Sequence, residues 1–271
     1  MLQAVPSLPE SMRLRSLDAI DSTNAEAMRL AATGETGPLW ITAKEQTAGR
    51  GRSGRGWTSV DGNLYCSLLT RLDCPTSAVP QLSLLAGVAV VDALKAAAAR
   101  QGHTIPGLRL KWPNDVLIGK AKLVGILPES STIPGSSGFI AVIGIGINLA
   151  GQPAGIGREV THLAAHGPSV SPELALELIA HAMQNWFARW NCGGGFAEVR
   201  AAWLARAGAV GEAISVNTGA TRVEGDFVEI DATGALILRD RNGILQRFTY
   251  GDVTLNTPAM SGGDALGGSE A

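Results

Sequence analysis

The sequence is poor in cysteine, poor in lysine and without a long apolar run, and each shortage excludes something. Its three cysteines, Cys66, Cys74 and Cys192, are too few and odd in number for a disulfide framework, which points to a reducing compartment. No stretch reaches the roughly 18 apolar residues of a membrane span; the longest candidate, 139–150, contains two glycines and Asn148. The N-terminus carries Pro6 and Pro9 and no basic start ahead of an apolar run, so it does not read as an export signal. A soluble cytoplasmic protein with no membrane partner is expected. Neither sign of charge dominates: 22 Lys plus Arg against 24 Asp plus Glu leave a net charge of −2. That argues against a wholesale nucleic-acid coat, which needs a basic domain. What the chain does have is apolar material, 45% of 271 residues with only 17% charged. This supplies a core and excludes disorder as the dominant state. The length fits one large domain, or one large and one small.

Patterning places the elements. Thr23 with Glu26 fits a capping box, predicting a helix over 23–33. Segments 38–44 and 63–72 read as strands, and between them 45–63 is rich in glycine with no helical or strand period. Such a long loop inside a compact domain is usually functional or mobile. Residues 80–100 predict a buried helix stopped by Gly102, and 108–112, 123–128 and 139–148 predict three strands. Ser171-Pro172-Glu173 starts a helix to about Trp190, and 196–207 predicts another. After Gly208 four short strands (213–217, 221–230, 235–239, 244–250) alternate with Gly or Asn-Gly turns, the pattern of a small antiparallel barrel. The expected organisation is α+β, a mixed sheet flanked by helices over 1–208, then a β-domain over 209–256 and a disordered Gly/Ser tail over 257–271.

Three segments carry chemistry. From Lys44 to Trp57 there are four basic residues and one acid, a local charge of +3. Glycines between the arginines let backbone N–H groups approach an anion, and guanidinium forks match phosphate or carboxylate. Trp57 suits an aromatic base or a shield against water. The Gly-Lys-Ser/Thr ending of a P-loop is absent, and a solvated loop or an RGG-like nucleic-acid contact has comparable weight on composition alone. The second segment runs from Lys111 to Gly125 and holds three of the five lysines. Pro113 fixes a turn, Asn114 and Asp115 suit its corner, and Lys122 opens an apolar strand that can aim it; an ordinary charged hairpin is the plain alternative. The third, Gly144-Ile-Gly-Ile-Asn148, lacks the third glycine of a dinucleotide fingerprint; it fits a buried strand, or close approach of a ligand. His162 and His166 have no third ligand nearby, which argues against a metal site.

Ser22-Thr23-Asn24, EQTAGRGRSGRGW (45–57), KWPND (111–115), KLVGIL (122–127) and GIGIN (144–148), in this order and spacing, closely resemble biotin–protein ligases. The resemblance implies a class II synthetase-like catalytic domain and an SH3-like C-terminal domain. It also implies an activity: ATP and Mg²⁺ convert biotin, as substrate, to biotinyl-5′-adenylate, and the biotinyl group passes to one lysine of a biotin carboxyl carrier protein of acetyl-CoA carboxylase or a related carboxylase. The positions matching the family's biotin-binding pattern are Ser22, Thr23, Asn24, Gln46, Arg50, Gly51, Arg52 and Lys122. Lys122, Arg52 and Asp115 are the expected catalytic residues, with Asp115 also a candidate Mg²⁺ ligand. Gly49, Trp57, Lys111, Asn114, Gly125, Gly144, Gly146 and Asn148 complete the expected adenylate-binding set. Trp57 is assigned to stacking on adenine, and the loop to closure over the adenylate.

Some members carry an N-terminal DNA-binding domain. Here the first motif begins 21 residues into the chain, short of a minimum domain of about 50 residues, so no DNA partner is expected. An exposed strand edge pairs either with the acceptor or with a second copy as a homodimer, and the residue pattern leaves both open. The rival readings are a lipoate–protein ligase, which shares the acyl-adenylate logic, and an Arg/Gly-loop nucleic-acid binder, whose affinity would fall steeply with salt.

Overall fold

A computed structural model of the chain describes residues 5–256; the 257–271 tail lies outside them. Its centre is a seven-stranded sheet of β1 (Arg13–Ile20), β2 (Leu39–Gln46), β3 (Leu64–Leu72), β4 (Leu108–Lys111), β5 (Asp115–Ile118), β6 (Ala121–Thr132) and β7 (Phe139–Ile147), in spatial order β1-β2-β3-β7-β6-β5-β4. Only β1 and β2 run parallel; the other pairs are antiparallel. The inner strands β3 and β7 are covered on both faces, which is why they read as unbroken apolar runs rather than alternating ones.

One face carries α1 (Thr23–Ala32), whose Ala27 packs with Ile41, Leu69 and Val142. The other carries α2 (Gln81–Ala99), α3 (Pro172–Trp190) and α4 (Phe196–Leu204) over the larger core. Buried indoles there are satisfied: Trp186 donates to Asp92 at 3.0 Å and Trp190 to Gln81 at 2.6 Å, as buried polar groups require. The C-terminal segment is a five-stranded antiparallel sheet of β8 (Ala213–Asn217), β9 (Arg222–Ile230), β10 (Leu236–Asp240), β11 (Leu245–Phe248) and β12 (Asp252–Leu255), in order β11-β10-β9-β8-β12. The architecture is the expected α+β, a mixed sheet flanked by helices with a small SH3-like β-unit.

Several expectations are corrected. The α1 cap is Ser22, whose hydroxyl accepts from Ala25 N; Glu26 instead pairs with Arg29 and Arg15, and with Ala25 at the position a box needs, α1 has a serine cap and no capping box. Cys74 and Cys192 form a disulfide; a separation of 118 residues hid the pair, and only Cys66 is free. The reducing-compartment argument therefore does not stand on cysteine. The longest apolar segment is not 139–150 but α2, which is long and apolar enough to cross a membrane, yet 78% of that window is buried in the core. The 45–63 loop has some regular structure: a 3-10 turn over Arg52–Gly54 and a bridge between Arg50 and Gly56.

One side chain braces the sheet beside this loop. Buried Asn63 accepts through Oδ1 from the backbone N–H groups of Leu149, Ala150 and Gly151 at 2.8, 3.0 and 3.2 Å, and donates to Gly151 O. Asn63→Ala leaves these groups without their partner, each such loss costing about 1–3 kcal/mol. The variant should lose about 3 kcal/mol in urea unfolding; a change within about 0.5 kcal/mol, the range of an ordinary surface substitution, would refute the brace.

Candidate active site

A cavity of about 350 Å³ opens where the N-terminus of α1, the glycine–arginine loop, strands β5 to β7 and β12 meet. Of the residues expected from sequence, Ser22, Thr23, Asn24, Gln46, Arg50, Gly51, Arg52, Trp57, Lys111, Asn114, Asp115, Lys122, Gly125, Gly144 and Gly146 line it. Gly49 and Asn148 do not. A Cβ on Gly49 would lie 2.4 Å from Trp57 O, so its role is to let the loop's two limbs close on each other. Asn148 is buried in the scaffold, its amide donating to Thr161 O at 3.0 Å. Sequence reasoning missed Arg55, Cys66, Arg158, Glu159 and Asp252–Leu255, which also line the cavity. Arg55 was visible inside the loop; β12 lies some two hundred positions along the chain and carried no local signal.

The cavity has a polar floor. Gln46 Oε1 accepts from Thr23 N and Thr23 Oγ1 at 2.9 and 3.1 Å. The Ser67 hydroxyl lies 2.8 Å from Thr23 Oγ1 and 2.6 Å from Asn24 Oδ1. Asn24 Nδ2 donates to Leu127 O and to Glu129. Three wall positions are glycine, which lets Trp57 and Asn24 pack directly against the strands. Added Cβ atoms would lie 2.6 Å from the Trp57 ring at Gly125 and Gly146, and 2.3 Å from Asn24 Oδ1 at Gly144. Trp57 therefore rests directly on the strands, and its buried Nε1–H lacks a partner.

The opposite side is cationic. Lys122 Nζ and Lys111 Nζ flank one carboxylate, Asp115, at 2.5 and 3.0 Å, and Lys111 also donates to Val253 O. Burial on its own would raise the Asp115 carboxyl, but the charges of Lys122 and Lys111 outweigh it and hold Asp115 below its ordinary value. Burial pushes the Lys122 ammonium down, with Asp115 opposing and Arg158 and Lys111 adding to the fall. Both oxygens of Asp115 are committed to lysines, and no group of three or more metal-ligating side chains occurs among the described residues. Asp115 thus does not fit the Mg²⁺ ligand expected from sequence; it neutralises and orients two lysines.

The loop arginines are tied to neighbouring elements, Arg52 partly buried and Arg50 and Arg55 still about half exposed. Arg50 pairs with Glu129 at 3.1 Å, Arg52 donates to Asn114 Oδ1 and Gly251 O at 3.2 and 3.1 Å, and Arg55 reaches Asp252 at 2.8 Å. Burial lowers the Arg52 guanidinium from its ordinary value.

Asp115 is the main opposition to the desolvation of Lys122, so removing its charge has a definite sign. In Asp115→Asn the Lys122 pKa should fall further below its ordinary value, followed through the Lys122 Cε shift in an NMR pH titration. An unchanged or higher Lys122 pKa would show that the pair is not coupled.

Comparison with known proteins agrees with this geometry. Residues 17–148 match the Biotin/lipoate A/B protein ligase family, and 210–255 match the Biotin protein ligase C terminal domain. A biotin–[acetyl-CoA-carboxylase] ligase of Paracoccus denitrificans is 44% identical over 82% of this chain and 92% of its own length. A ligase of the same description from Mycobacterium tuberculosis is 33% identical over 88% of each chain. The solved biotin protein ligase of Aquifex aeolicus in complex with biotin and ATP superposes with a TM-score of 0.74 at 27% identity, covering 90% of this chain and 98% of that one. The lipoate and nucleic-acid readings give way before relatives that are biotin ligases over nearly their whole length. The chain belongs to the biotin–protein ligase family.

Proposed function

We propose that the cavity activates biotin with ATP and passes the biotinyl group to a lysine of a biotin carboxyl carrier protein, the acceptor in acetyl-CoA carboxylase. The observation that carries this reading is the meeting of a neutral hydrogen-bonding floor with a partly buried cationic wall in one cavity. Biotin has the matching polarity: a cyclic urea at one end and a carboxylate at the other.

In the first step a biotin carboxylate oxygen bonds to the α-phosphorus of ATP and the bond to the bridging oxygen breaks, releasing pyrophosphate. Two anions must approach, and Lys122 opposes their repulsion. An ammonium has three N–H donors and Asp115 takes one, so Lys122 retains donors for the carboxylate and for an α-phosphate oxygen, where charge develops. Lys111 adds a second positive charge, and Asp115 is the positioning residue that holds both. Thr23, Asn24 and Gln46 take the urea. Arg50 and Arg52 hold the adenylate, with Trp57 offering an aromatic surface to adenine. Mg²⁺ accompanies ATP as its counter-ion rather than sitting on a protein carboxylate. In the second step the acceptor amine attacks the acyl carbon, AMP leaves, and a proton is lost from nitrogen. Exclusion of water by the loop protects the mixed anhydride between the steps.

In this reading 1–208 is the catalytic domain and 209–256 the SH3-like domain, whose β12 completes the site wall. The open edge of β1 receives the acceptor or a second copy in a homodimer. The cytoplasm, where ATP is supplied, is the proposed compartment.

The test is transfer of labelled biotin to a carrier domain with ATP and Mg²⁺, alongside Lys122→Ala. Transfer that depends on ATP and falls about 10²–10³-fold in the variant, the scale for losing one electrostatic contact to the transition state, supports the reading. Equal transfer by the variant would remove Lys122 from the mechanism. Absence of both adenylate and transfer in the wild type would overturn the function.

A further inference from the structure

Glu129 lies on β6 outside the sequence motifs used above, yet it holds two parts of the site. Its Oε2 accepts from Asn24 Nδ2 at 2.7 Å. The same carboxylate pairs with Arg50 Nη2 at 3.1 and 3.3 Å through its two oxygens. Asn24 belongs to the floor and is 4% exposed; Arg50 belongs to the loop.

The contact fixes the polarity of Asn24. An asparagine amide has two N–H donors and one carbonyl acceptor. Here both donors are spent, one on Leu127 O at 3.0 Å and one on Glu129. The carbonyl faces Ser67, which supplies one hydrogen bond at 2.6 Å. A carboxylate is an acceptor only, so it cannot be satisfied by the flipped amide. What Asn24 can still offer a ligand is the second lone pair of Oδ1. The floor at this point therefore selects a ligand N–H rather than a ligand carbonyl.

We infer that Glu129 is a positioning residue that orients Asn24 as an acceptor for a urea N–H of biotin and, through Arg50, ties the glycine–arginine loop to that floor. The inference rests on the proposed biotin ligase reading for its ligand, but the loop tether can be tested without any ligand. The position of Glu129 suits both roles: it follows Leu127, whose carbonyl takes the other Asn24 donor, by two residues on the same strand. Period-two alternation puts the two positions on one face of the strand.

Two variants separate the roles. In Glu129→Gln the side-chain carbonyl can still accept from Asn24, while the charge that holds Arg50 is gone. Glu129→Ala removes both. The readouts are the biotin KM and kcat of adenylate formation, and trypsin cleavage after Arg50, Arg52 and Arg55 in the ligand-free protein, followed by mass spectrometry. Glu129→Ala should raise the biotin KM about tenfold, the scale of one hydrogen bond at a fixed site, with kcat nearly unchanged, because the contact is made in ground and transition states alike. Glu129→Gln should restore KM to within about threefold of wild type. Cleavage of the three loop bonds should accelerate in both variants, while cleavage elsewhere keeps its rate. A wild-type KM in Glu129→Ala would overturn the orientation of Asn24, and wild-type loop cleavage would overturn the tether. If the wild-type enzyme itself showed no response to biotin, the ligase reading would fail, whereas the cleavage comparison would still decide the tether.

Discussion

The site depends on two partly buried lysines sharing one buried carboxylate. An isolated ammonium taken out of water is strongly disfavoured, and a neighbouring carboxylate offsets that cost only when the geometry is tight. Asp115 meets Lys122 and Lys111 at 2.5 and 3.0 Å, so the set is held together yet keeps a net positive charge. That surplus faces a cavity where screening by water is weak, which is what two approaching anions need. The scaffold enforces the arrangement through register. Lys111 and Asp115 are directly paired across β4 and β5, while a register shift between Val116 and Leu117 sets Lys122 opposite Leu117. Backbone bonds from Lys122 N to Glu159 O and from Thr161 N to Lys122 O then clamp its strand from outside the sheet.

Space is the second constraint, and glycine provides it. Gly125 and Gly146 are neighbours across β6 and β7, and any side chain there would meet Trp57. The same two strands are otherwise densely apolar, so the sheet is a packed core that leaves room only where glycines recur. The C-terminal sheet closes the remaining side. Gly251 O and Asp252 receive Arg52 and Arg55, and Val253 O receives Lys111, so the loop and the lysine cluster both lean on a segment remote in sequence.

Most of the fold was legible because its long elements have clear periods or caps. Helix α3 begins as its Ser-Pro-Glu start says, with the Ser171 hydroxyl accepting from Leu174 N. The missed strands lacked such signals. In β1 the apolar residues Leu14, Leu17 and Ile20 recur every third position and its burial does not alternate, as befits an edge strand paired on one side. β5 and β12 are four residues each, too short for a period to show. The motif residues gather around one cavity because their chemistry is local: arginines among glycines, lysines beside a carboxylate. Glu129, Asp252 and the disulfide partners were not legible, because each acts through contacts across tens to about two hundred positions. The sequence also suggested Asp115 as a metal ligand, since a lone acidic residue at a turn says nothing about which cations fold around it.

In the proposed reaction this cavity brings a carboxylate and a nucleotide phosphate together over Lys122. The most direct measurement is exchange of labelled pyrophosphate into ATP by the purified protein without an acceptor, since exchange reports reversal of the adenylation step alone. Exchange should appear only with biotin and disappear in Lys122→Ala. Exchange without biotin, or undiminished exchange in the variant, would contradict the proposed reaction.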